Sequence, residues 1–166
     1  MTDLDEIERV ITRRLDALLK TPVAASERDR EWTVAVKKTL GDLGKELGYD
    51  VCASDPKGRF EQEWLFDLIW FRLDHDENLK DLSLIMEMEW AMSFDEIKWD
   101  FEKLMVGRAG HRVLIFQAAN SHTIDDYCRR LIRDITSFVH SAQGDRYLIA
   151  AYDQKTALFV YRRFQY

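Results

Sequence analysis

Two glutamates lie two residues apart in the apolar stretch LSLIMEMEW, residues 82 to 90. The stretch has the composition of a buried strand, and strand alternation sends Glu87 and Glu89 to the same face of a sheet. Two like charges in such a segment are costly unless they are solvated at an edge, share a proton or neutralise a cation. The last of these arrangements would be a metal site.

A third carboxylate, Asp67, interrupts the apolar run EWLFDLIWFR. The polar stretch DHDENLKD between the two runs is typical of the loop of an antiparallel hairpin. If the hairpin folds about residue 77, Leu73 lies opposite Asp81. In the same register Asp67 lies opposite Glu87, with a Cβ separation of about 5 Å.

The sequence therefore predicts a cluster of three carboxylates, Asp67, Glu87 and Glu89, on two adjacent strands. The alternative is a solvated face of an edge hairpin, which would be polar throughout. That face also carries four apolar residues: Leu65, Ile69, Phe71 and Ile85. The apolar residues favour the metal site, although a register slip of one residue would separate the acids.

The chain has 166 residues, of which 46% are apolar, and this predicts one globular domain, residues 1 to 166. We expect three parts: an N-terminal amphipathic helix (1 to 22), a core (26 to 118), and a C-terminal helix with a β-hairpin (119 to 166). The first helix should pack on the core or on a second copy of the chain. Cys52 and Cys128 have no metal-binding spacing and are interpreted as reduced thiols.

Charge and hydropathy limit the partners. The longest apolar runs are too short for a membrane span, and the N-terminal letters TDLDEIERV lack the features of a signal peptide. We therefore expect a cytoplasmic protein without membrane contact. The formal net charge of -6 provides no general attraction for nucleic acid, but it allows local basic patches.

Helical and strand periodicities predict the secondary structure and a mixed α/β (α+β) fold. The predicted helices are 3–20, 26–47 with Ser26 as N-cap, 94–107 after a capping box of Ser93 and Glu96, and 123–142. The predicted strands are 49–54, 63–73, 82–90, 111–118 and two terminal strands joined by residues 154–156. The strands before and after the 94–107 helix should be parallel and joined by a right-handed crossover. The result is a central mixed sheet flanked by helices, with an extra N-terminal helix.

The order of these features resembles the PD-(D/E)XK nuclease superfamily. The resemblance is carried by a helix with an early Glu31, the letters GYDV leading into a strand, Asp67 in the next strand, Glu87-x-Glu89, and a helix reading DFEKL. It covers residues 26 to about 118. It implies the restriction-endonuclease-like fold and hydrolysis of phosphodiester bonds with a divalent metal ion.

The resemblance implies that Asp67 and Glu87 bind Mg²⁺ or Mn²⁺ and that Glu31 adds a third metal ligand. The chain departs from the family pattern because Glu89 stands where the motif lysine is expected. In some members the lysine has moved to the following helix. Lys103 is then the candidate, with Lys98 a poorer one, and the alternative for Lys103 is a surface lysine paired with Asp100.

The proposed chemistry assigns separate roles to these groups. A cation held by Asp67 and Glu87 would lower the pKa of a bound water and offset charge on the phosphate. Glu89 or Lys103 would orient or deprotonate that water. Five basic residues could contact phosphates, although an ordinary surface charge is the favoured interpretation of each: Lys57, Arg59, Arg129, Arg130 and Arg133.

Two functions therefore stay open. The first is a metal-dependent nuclease acting on nucleic acid, with DNA favoured over RNA. The second is an inactive nuclease-like fold that serves as a binding protein, for a protein partner or for a second copy of itself, which the missing lysine and the acidic charge favour.

Overall fold

The computed structural model of the protein describes residues 5 to 26 and 28 to 166. The helices in this part of the chain are α1 (Glu6–Leu18), α2 (Asp29–Glu46), α3 (Phe94–Val106) and α4 (Ser121–Ser137), and a short 3-10 helix spans Pro22–Ala25. The strands are β1 (Asp50–Ala53), β2 (Leu68–Leu73), β3 (Leu79–Glu89), β4 (His111–Ala118), β5 (Arg146–Asp153) and β6 (Leu158–Gln165).

The six strands form one mixed sheet in the order β1-β2-β3-β4-β5-β6. Neighbours β1, β2 and β3 are antiparallel, whereas β4 is parallel to β3 and β5 is parallel to β4. The terminal strands β5 and β6 form an antiparallel pair at the far edge. The predicted mixed sheet, the parallel crossover through α3 and the terminal hairpin are all confirmed.

Helices cover both faces of the sheet. One core lies between the sheet and the pair α1 and α2, and includes Ile11, Leu15, Val36, Leu40, Leu68, Trp70, Leu84 and Met86. The other core lies between the sheet and the pair α3 and α4, and includes Ile69, Ile85, Phe101, Leu104, Leu114, Phe116, Ile124 and Leu131. Alternate residues of β3 thus enter opposite cores, because successive strand residues point to opposite faces.

The N-terminal helix packs on this sheet rather than standing apart. α1 buries Ile11 and Leu15 completely, and Tyr161 of β6 donates a hydrogen bond to the Thr12 carbonyl oxygen at 3.1 Å. Residues 3 and 4, where we predicted the helix to begin, lie outside the described residues. Among the described helices, none has the length and apolar content needed to cross a membrane.

The helix ends depart from the predictions most clearly at the start of α2, in the capping of α3 and at the end of α4. Ser26 is not the N-cap of α2, which begins at Asp29 after Arg28, because its hydroxyl instead accepts from the Arg28 backbone nitrogen. Ser93 does precede α3, but the capping box with Glu96 is not formed. The α4 helix ends at Ser137, five residues before the predicted end at 142.

The close packing of α2 on β2 depends on glycine. An added Cβ at Gly44 would lie 2.6 Å from Nε1 of Trp70, so only a residue without a side chain allows this approach. Trp70 is fully buried, and its indole donates a hydrogen bond to the Leu40 carbonyl oxygen at 3.0 Å. This contact fixes how close α2 lies to the sheet, and so it decides which α2 side chains can reach the ends of the strands.

The register of the β2–β3 hairpin is correct near the predicted site and wrong near the loop. Leu68 pairs with Met86, and the next step of the same register places Asp67 beside Glu87, as predicted. Two register shifts follow along β2, so Leu73 pairs with Leu79 and not with Asp81. Such irregularities leave one strand with an extra residue and cannot be read from alternation alone.

Residues 63 to 67 are not part of the β2 strand as predicted. Leu65 has a φ of 61°, and the Phe66 backbone nitrogen donates to the Trp64 carbonyl oxygen across a tight turn. A positive φ is unusual for a bulky side chain, and it turns the chain sharply just before Asp67. Asp67 therefore sits at the start of the strand, not within it.

Candidate functional site

The candidate site lies at the edge of the sheet where β3 and β4 have their carboxyl ends and β2 begins. Asp67 directly precedes β2, and Glu87 and Glu89 are among the last three residues of β3. One lysine reaches this edge from α2 and another from α3. The acids predicted from the sequence are thus brought to one end of the sheet, between two helices on opposite faces.

The Asp67 carboxylate is held by one contact with β3 and one with α2. Its Oδ2 accepts a hydrogen bond from the Met88 backbone nitrogen at 2.9 Å. Its Oδ1 lies 3.1 Å from Lys37 Nζ. Because Met88 directly follows Glu87 in β3, the first contact fixes the Asp67 carboxylate next to the Glu87 position.

Glu87 is a buried carboxylate with an incomplete set of partners. Only 2% of the residue is exposed, and Lys103 Nζ lies 2.8 Å from its Oε1. No other donor reaches Oε1 within the described part of the chain, so the Lys103 ammonium is the one group there that compensates this oxygen. Ion pairing alone therefore compensates its charge, which is weaker compensation than a paired and hydrogen-bonded carboxylate receives.

The surroundings of Glu87 shift its proton affinity strongly. Burial is the largest cause of a rise in the pKa of Glu87 to about 8; the nearby Asp67 and Asp100 carboxylates act in the same direction, and Lys103 opposes the rise. Burial disfavours the charged form of an acid, and like charges act in the same direction. Glu87 is therefore a carboxyl group that can hold a proton near neutral pH.

Lys103 points to the acids and not only to solvent. Its ammonium contacts both Glu87 and, at 3.1 Å, Asp100. Burial lowers the pKa of Lys103, but its bonds to these two carboxylates outweigh burial and leave the pKa raised. Lys103 thus makes the expected pair with Asp100 and also faces Glu87. Lys98 instead pairs with Glu102 and Asp134.

Glu89 shares the face of Glu87 through strand alternation but makes a different contact. The Ala91 backbone nitrogen donates a hydrogen bond to Glu89 Oε1 at 2.6 Å. The residue is half-buried. The carboxylate is therefore turned back to the chain that follows β3, and it holds that turn in place.

The structure does not bring Glu31 to the other acids. Its carboxylate accepts a hydrogen bond from the Ser26 hydroxyl at 2.6 Å and pairs with Arg28 at 3.1 Å. The Ser26 hydrogen bond lowers the pKa of Glu31. Glu31 lies six residues before Lys37 in α2, which places it about 120° around the helix from the lysine that meets Asp67.

The ligand oxygens of the predicted cluster are not gathered as in a closed cation site. Within residues 5 to 26 and 28 to 166, three ligand atoms lie within 4.8 Å of one another in two other places. These two groups are Asp5, Glu8 and His111, and Asp74, His75 and Asp76. Asp67 and Glu87 instead each face an ammonium group.

The group around Asp5 is a structural ion-pair network. Arg146 Nε lies 3.3 Å from Asp5 Oδ2, and Arg163 Nε lies 3.2 Å from Glu8 Oε2. His111 Nε2 lies 2.7 Å from Asp5. Arginines already balance these carboxylates, so the network ties α1 to the sheet and is not a candidate for metal binding.

Lys37 is a site residue that sequence reasoning missed. Only 4% of it is exposed, and its ammonium contacts Asp67, Glu63 and the Ser54 hydroxyl, the last at 2.9 Å. The sequence does contain a signal. Lys37, Gly41 and Gly44 follow the i, i+4, i+7 spacing of one helix face. Glycines on that face indicate close approach to the sheet, which buries a lysine at the same position.

The basic residues suggested as phosphate contacts are mostly engaged with acids. Arg59 pairs with Asp55, and Arg129 and Arg130 both pair with Asp126. The guanidinium of Arg130 also lies over the Phe94 ring. These pairings agree with ordinary surface charges at Arg59, Arg129 and Arg130.

The residues present nevertheless suit a divalent cation. Glu87 Oε1 has the exchangeable Lys103 ammonium at 2.8 Å, and Asp67 and Asp100 lie close enough to raise the pKa of Glu87. Carboxylate oxygens are the ligands that Mg²⁺ prefers in proteins. Asp67 and Glu87 could hold the ion, with Asp100 as a third carboxylate that the sequence analysis did not assign.

No protein-family model, curated protein or solved structure matches this chain. The resemblance to a nuclease superfamily therefore rests on the residues and their arrangement described above.

The raised pKa of Glu87 predicts a pH-dependent effect of Glu87→Gln. The folded-state pKa of about 8 exceeds the ordinary value of 4.5. The free energy of unfolding of the wild-type protein therefore falls as pH rises from about 4.5 to 8, because the folded state binds this proton more tightly than the unfolded state. A neutral amide binds no such proton, so Glu87→Gln does not show this decrease. We expect the free energy of unfolding of Glu87→Gln to exceed that of wild type by about 2 to 4 kcal/mol at high pH, with little difference near pH 5.

Urea unfolding of both proteins at the two pH values measures this difference. Glu102→Gln is the control, because Glu102 is an exposed partner of Lys98 on the same helix as Lys103. It should stay within about 1 kcal/mol of wild type at both pH values. A Glu87→Gln protein that is less stable than wild type at high pH would show that pairing with Lys103 outweighs burial and that the pKa of Glu87 is not raised.

Proposed function

We propose that the protein is a divalent-metal-dependent phosphodiesterase of the nuclease type, acting on DNA rather than RNA. One observation carries the proposal. Lys103 of α3 faces the buried Glu87, and Asp67 is held beside them. The resemblance assigns these three residues to metal binding and catalysis, and the chain's fold places them at one sheet edge.

The order of elements supports the same proposal. A helix, three antiparallel strands, a second helix and a parallel strand follow one another as α2, β1, β2, β3, α3 and β4. This is the order on which the resemblance to the PD-(D/E)XK superfamily was based. Assignment to the restriction-endonuclease-like fold is part of the proposal.

Asp67 and Glu87 would hold Mg²⁺ or Mn²⁺, with Glu31 left outside the site. The bound ion would lower the pKa of a water molecule and neutralise charge that develops on the phosphate. Lys37 holds Asp67 in place through a contact of 3.1 Å. The chain thereby fixes one ligand rigidly before any ion binds.

Lys103 is the better candidate of the two predicted catalytic groups. Its side chain is 40% exposed, so the ammonium can reach a phosphate oxygen or a water from its position against Glu87 and Asp100. Glu89 is turned to the Ala91 backbone nitrogen. A positive group that donates hydrogen bonds at the phosphate stabilises the charge of the transition state.

The alternative is an inactive nuclease-like fold that binds a partner. A specific observation favours it, because Lys37 and Lys103 already neutralise Asp67 and Glu87 without any ion. On this alternative the two lysines are permanent structural counterions. The net charge of -6 then suits a basic or neutral protein partner better than nucleic acid.

Metal-induced stabilisation separates the two functions. We expect Mn²⁺ or Mg²⁺ at about 100 times its dissociation constant to stabilise the wild-type protein by about 2.7 kcal/mol. Thermal unfolding should show this rise for wild type and lose it in Asp67→Asn, which removes a ligand charge. The control Glu102→Gln changes an exposed carboxylate that pairs with Lys98 and belongs to neither of the two close-packed ligand groups. Equal responses of wild type and Asp67→Asn would place any bound ion elsewhere.

Cleavage assays test the catalytic role of Lys103. We expect Lys103→Ala to reduce Mn²⁺-dependent cleavage of plasmid or single-stranded DNA by about 100-fold or more, with metal-induced stabilisation retained. Lys98→Ala removes a lysine from the same helix that pairs with Glu102 and Asp134, and should cleave as wild type does. Absence of cleavage by the wild-type protein with either metal would favour the inactive, partner-binding alternative.

A further inference from the structure

A second depression lies at the same sheet edge, beside the candidate site. It has a volume of about 580 Å³ and opens between the start of α2 and the ends of β3, β4 and β5. Three aromatic and three polar residues are central to it: Trp32, Trp90, Tyr152, Asp29, Gln117 and Gln154. A cavity of this volume is in the range that holds a small planar ligand.

The aromatic side chains are fixed in place before any ligand binds. The Trp32 ring centroid lies 5.3 Å from that of Tyr152 and 6.2 Å from that of Trp90. The Trp32 indole donates to the Ser26 carbonyl oxygen, and the Trp90 indole donates to the Thr33 hydroxyl at 2.8 Å. Both indole N–H groups are thus used within the protein. Trp32 is buried, and the partly exposed rings of Trp90 and Tyr152 present apolar surface to a ligand.

The polar groups of the depression mainly offer acceptors. Gln154 Nε2 donates to Gln117 Oε1 at 3.0 Å, and Gln117 Nε2 donates to the Trp90 carbonyl oxygen. This chain of bonds orients both amides and leaves Gln154 Oε1 without a partner in the described part of the chain. The Asp29 carboxylate is exposed and likewise has no side-chain partner among the described residues.

These features define the chemistry of the ligand. Aromatic walls favour a flat ring, because stacking on aromatic side chains stabilises a bound base by about 1 to 3 kcal/mol. Unpaired acceptors at Asp29 and Gln154 require N–H donors on that ring. The Asp29 charge repels a phosphate, so the ring and not the phosphate of a nucleotide would enter.

The depression and the candidate site share the elements α2 and β3. Trp90 directly follows Glu89, and its partner Thr33 lies one helical turn before Lys37. Trp32 and Lys37 are five residues apart in α2, about 7.5 Å along the helix axis. A phosphodiester held near Asp67 would therefore have the base of a neighbouring nucleotide within reach of the aromatic walls.

Arg30 adds a cation on the other side of α2. It lines a depression that it shares with Lys37 and Ser54. Its exposed guanidinium has no ion-pair partner among the described residues. A phosphate could contact this group while the adjacent base enters the aromatic depression, since Arg side chains bind phosphate readily.

We propose that the depression bounded by Trp32, Trp90 and Tyr152 binds the base of a nucleotide that flanks the phosphodiester bond, with preference for bases that carry an amino group. The proposal rests on the proposed function for its substrate class. Cytosine, adenine and guanine carry an exocyclic amine that Asp29 and Gln154 can accept from, whereas thymine carries none. The depression would thus set the base preference of the enzyme.

Binding to single-stranded DNA without metal tests the proposal separately from catalysis. The probes are fluorescein-labelled oligodeoxycytidylate and oligothymidylate of about 12 nucleotides, followed by fluorescence anisotropy in EDTA at low salt. We expect tighter binding of the cytidine strand by wild type. Tyr152→Leu should weaken binding of both strands by about 5- to 100-fold, since it removes a stacking ring.

Two further variants allow the proposal to be tested even if Tyr152→Leu does not fold. Asp29→Ala changes an exposed residue of the first turn of α2 and should abolish the preference for cytidine while the thymidine strand binds as before. Trp99→Leu is the control, because Trp99 is a tryptophan that is 71% exposed on α3. It should bind both strands as wild type does.

The outcomes distinguish the base pocket from the nuclease function. Binding with cytidine preference but no cleavage would refute the nuclease and leave the pocket standing. Cleavage that Tyr152→Leu and Asp29→Ala do not alter would refute the pocket and leave the nuclease standing. Failure of the wild-type protein to bind either strand would overturn the base pocket. Quenching of tryptophan fluorescence by tetramethylammonium but not by the oligonucleotides would also overturn it, because the aromatic walls would then belong to a site for a cationic ligand.

Discussion

The burial of one carboxylate, Glu87, is the constraint on which the site depends. A buried ionised carboxylate is destabilised by several kcal/mol unless a partner compensates it. The chain supplies Lys103 from α3 at 2.8 Å and holds Asp67 close by through the Met88 backbone nitrogen. The helix α3 therefore joins the parallel strands β3 and β4 and also carries Lys103, the counterion of Glu87 in β3.

The same interaction accounts for both functions that the protein could have. Lysines and divalent cations compensate the same carboxylates, so Lys37 and Lys103 stand where an ion would also be stabilised. In a nuclease the half-buried Lys103 would give up part of its contact with Glu87 to the ion and turn to the phosphate. In a binding protein both lysines would remain. The buried Lys37 serves either function, because it fixes Asp67 in both.

Strand alternation and hairpin pairing could predict the position of Asp67 next to Glu87, because both follow from short-range periodicity. The register shifts near Leu73 could not be predicted, since they depend on local irregularities. The face of Lys103 follows from helix geometry only once α3 is docked on the sheet. Lys37 was missed because a lysine in a helix is normally exposed, and the depth of α2 against β2 is a tertiary property. Glu31 was assigned through the resemblance alone, and the helix turns it away.

The most direct test of this account is diffraction from crystals of the wild-type protein soaked with Mn²⁺, using the anomalous signal of the metal. The account predicts one manganese ion bound by carboxylate oxygens of Asp67 and Glu87, at distances near those of Mg²⁺, about 2.0 to 2.1 Å. Lys103 Nζ should then lie farther from Glu87 than 2.8 Å. Crystals with no anomalous peak at these two carboxylates, and with the Lys103 contact unchanged, would contradict the metal site and leave the lysines as permanent counterions.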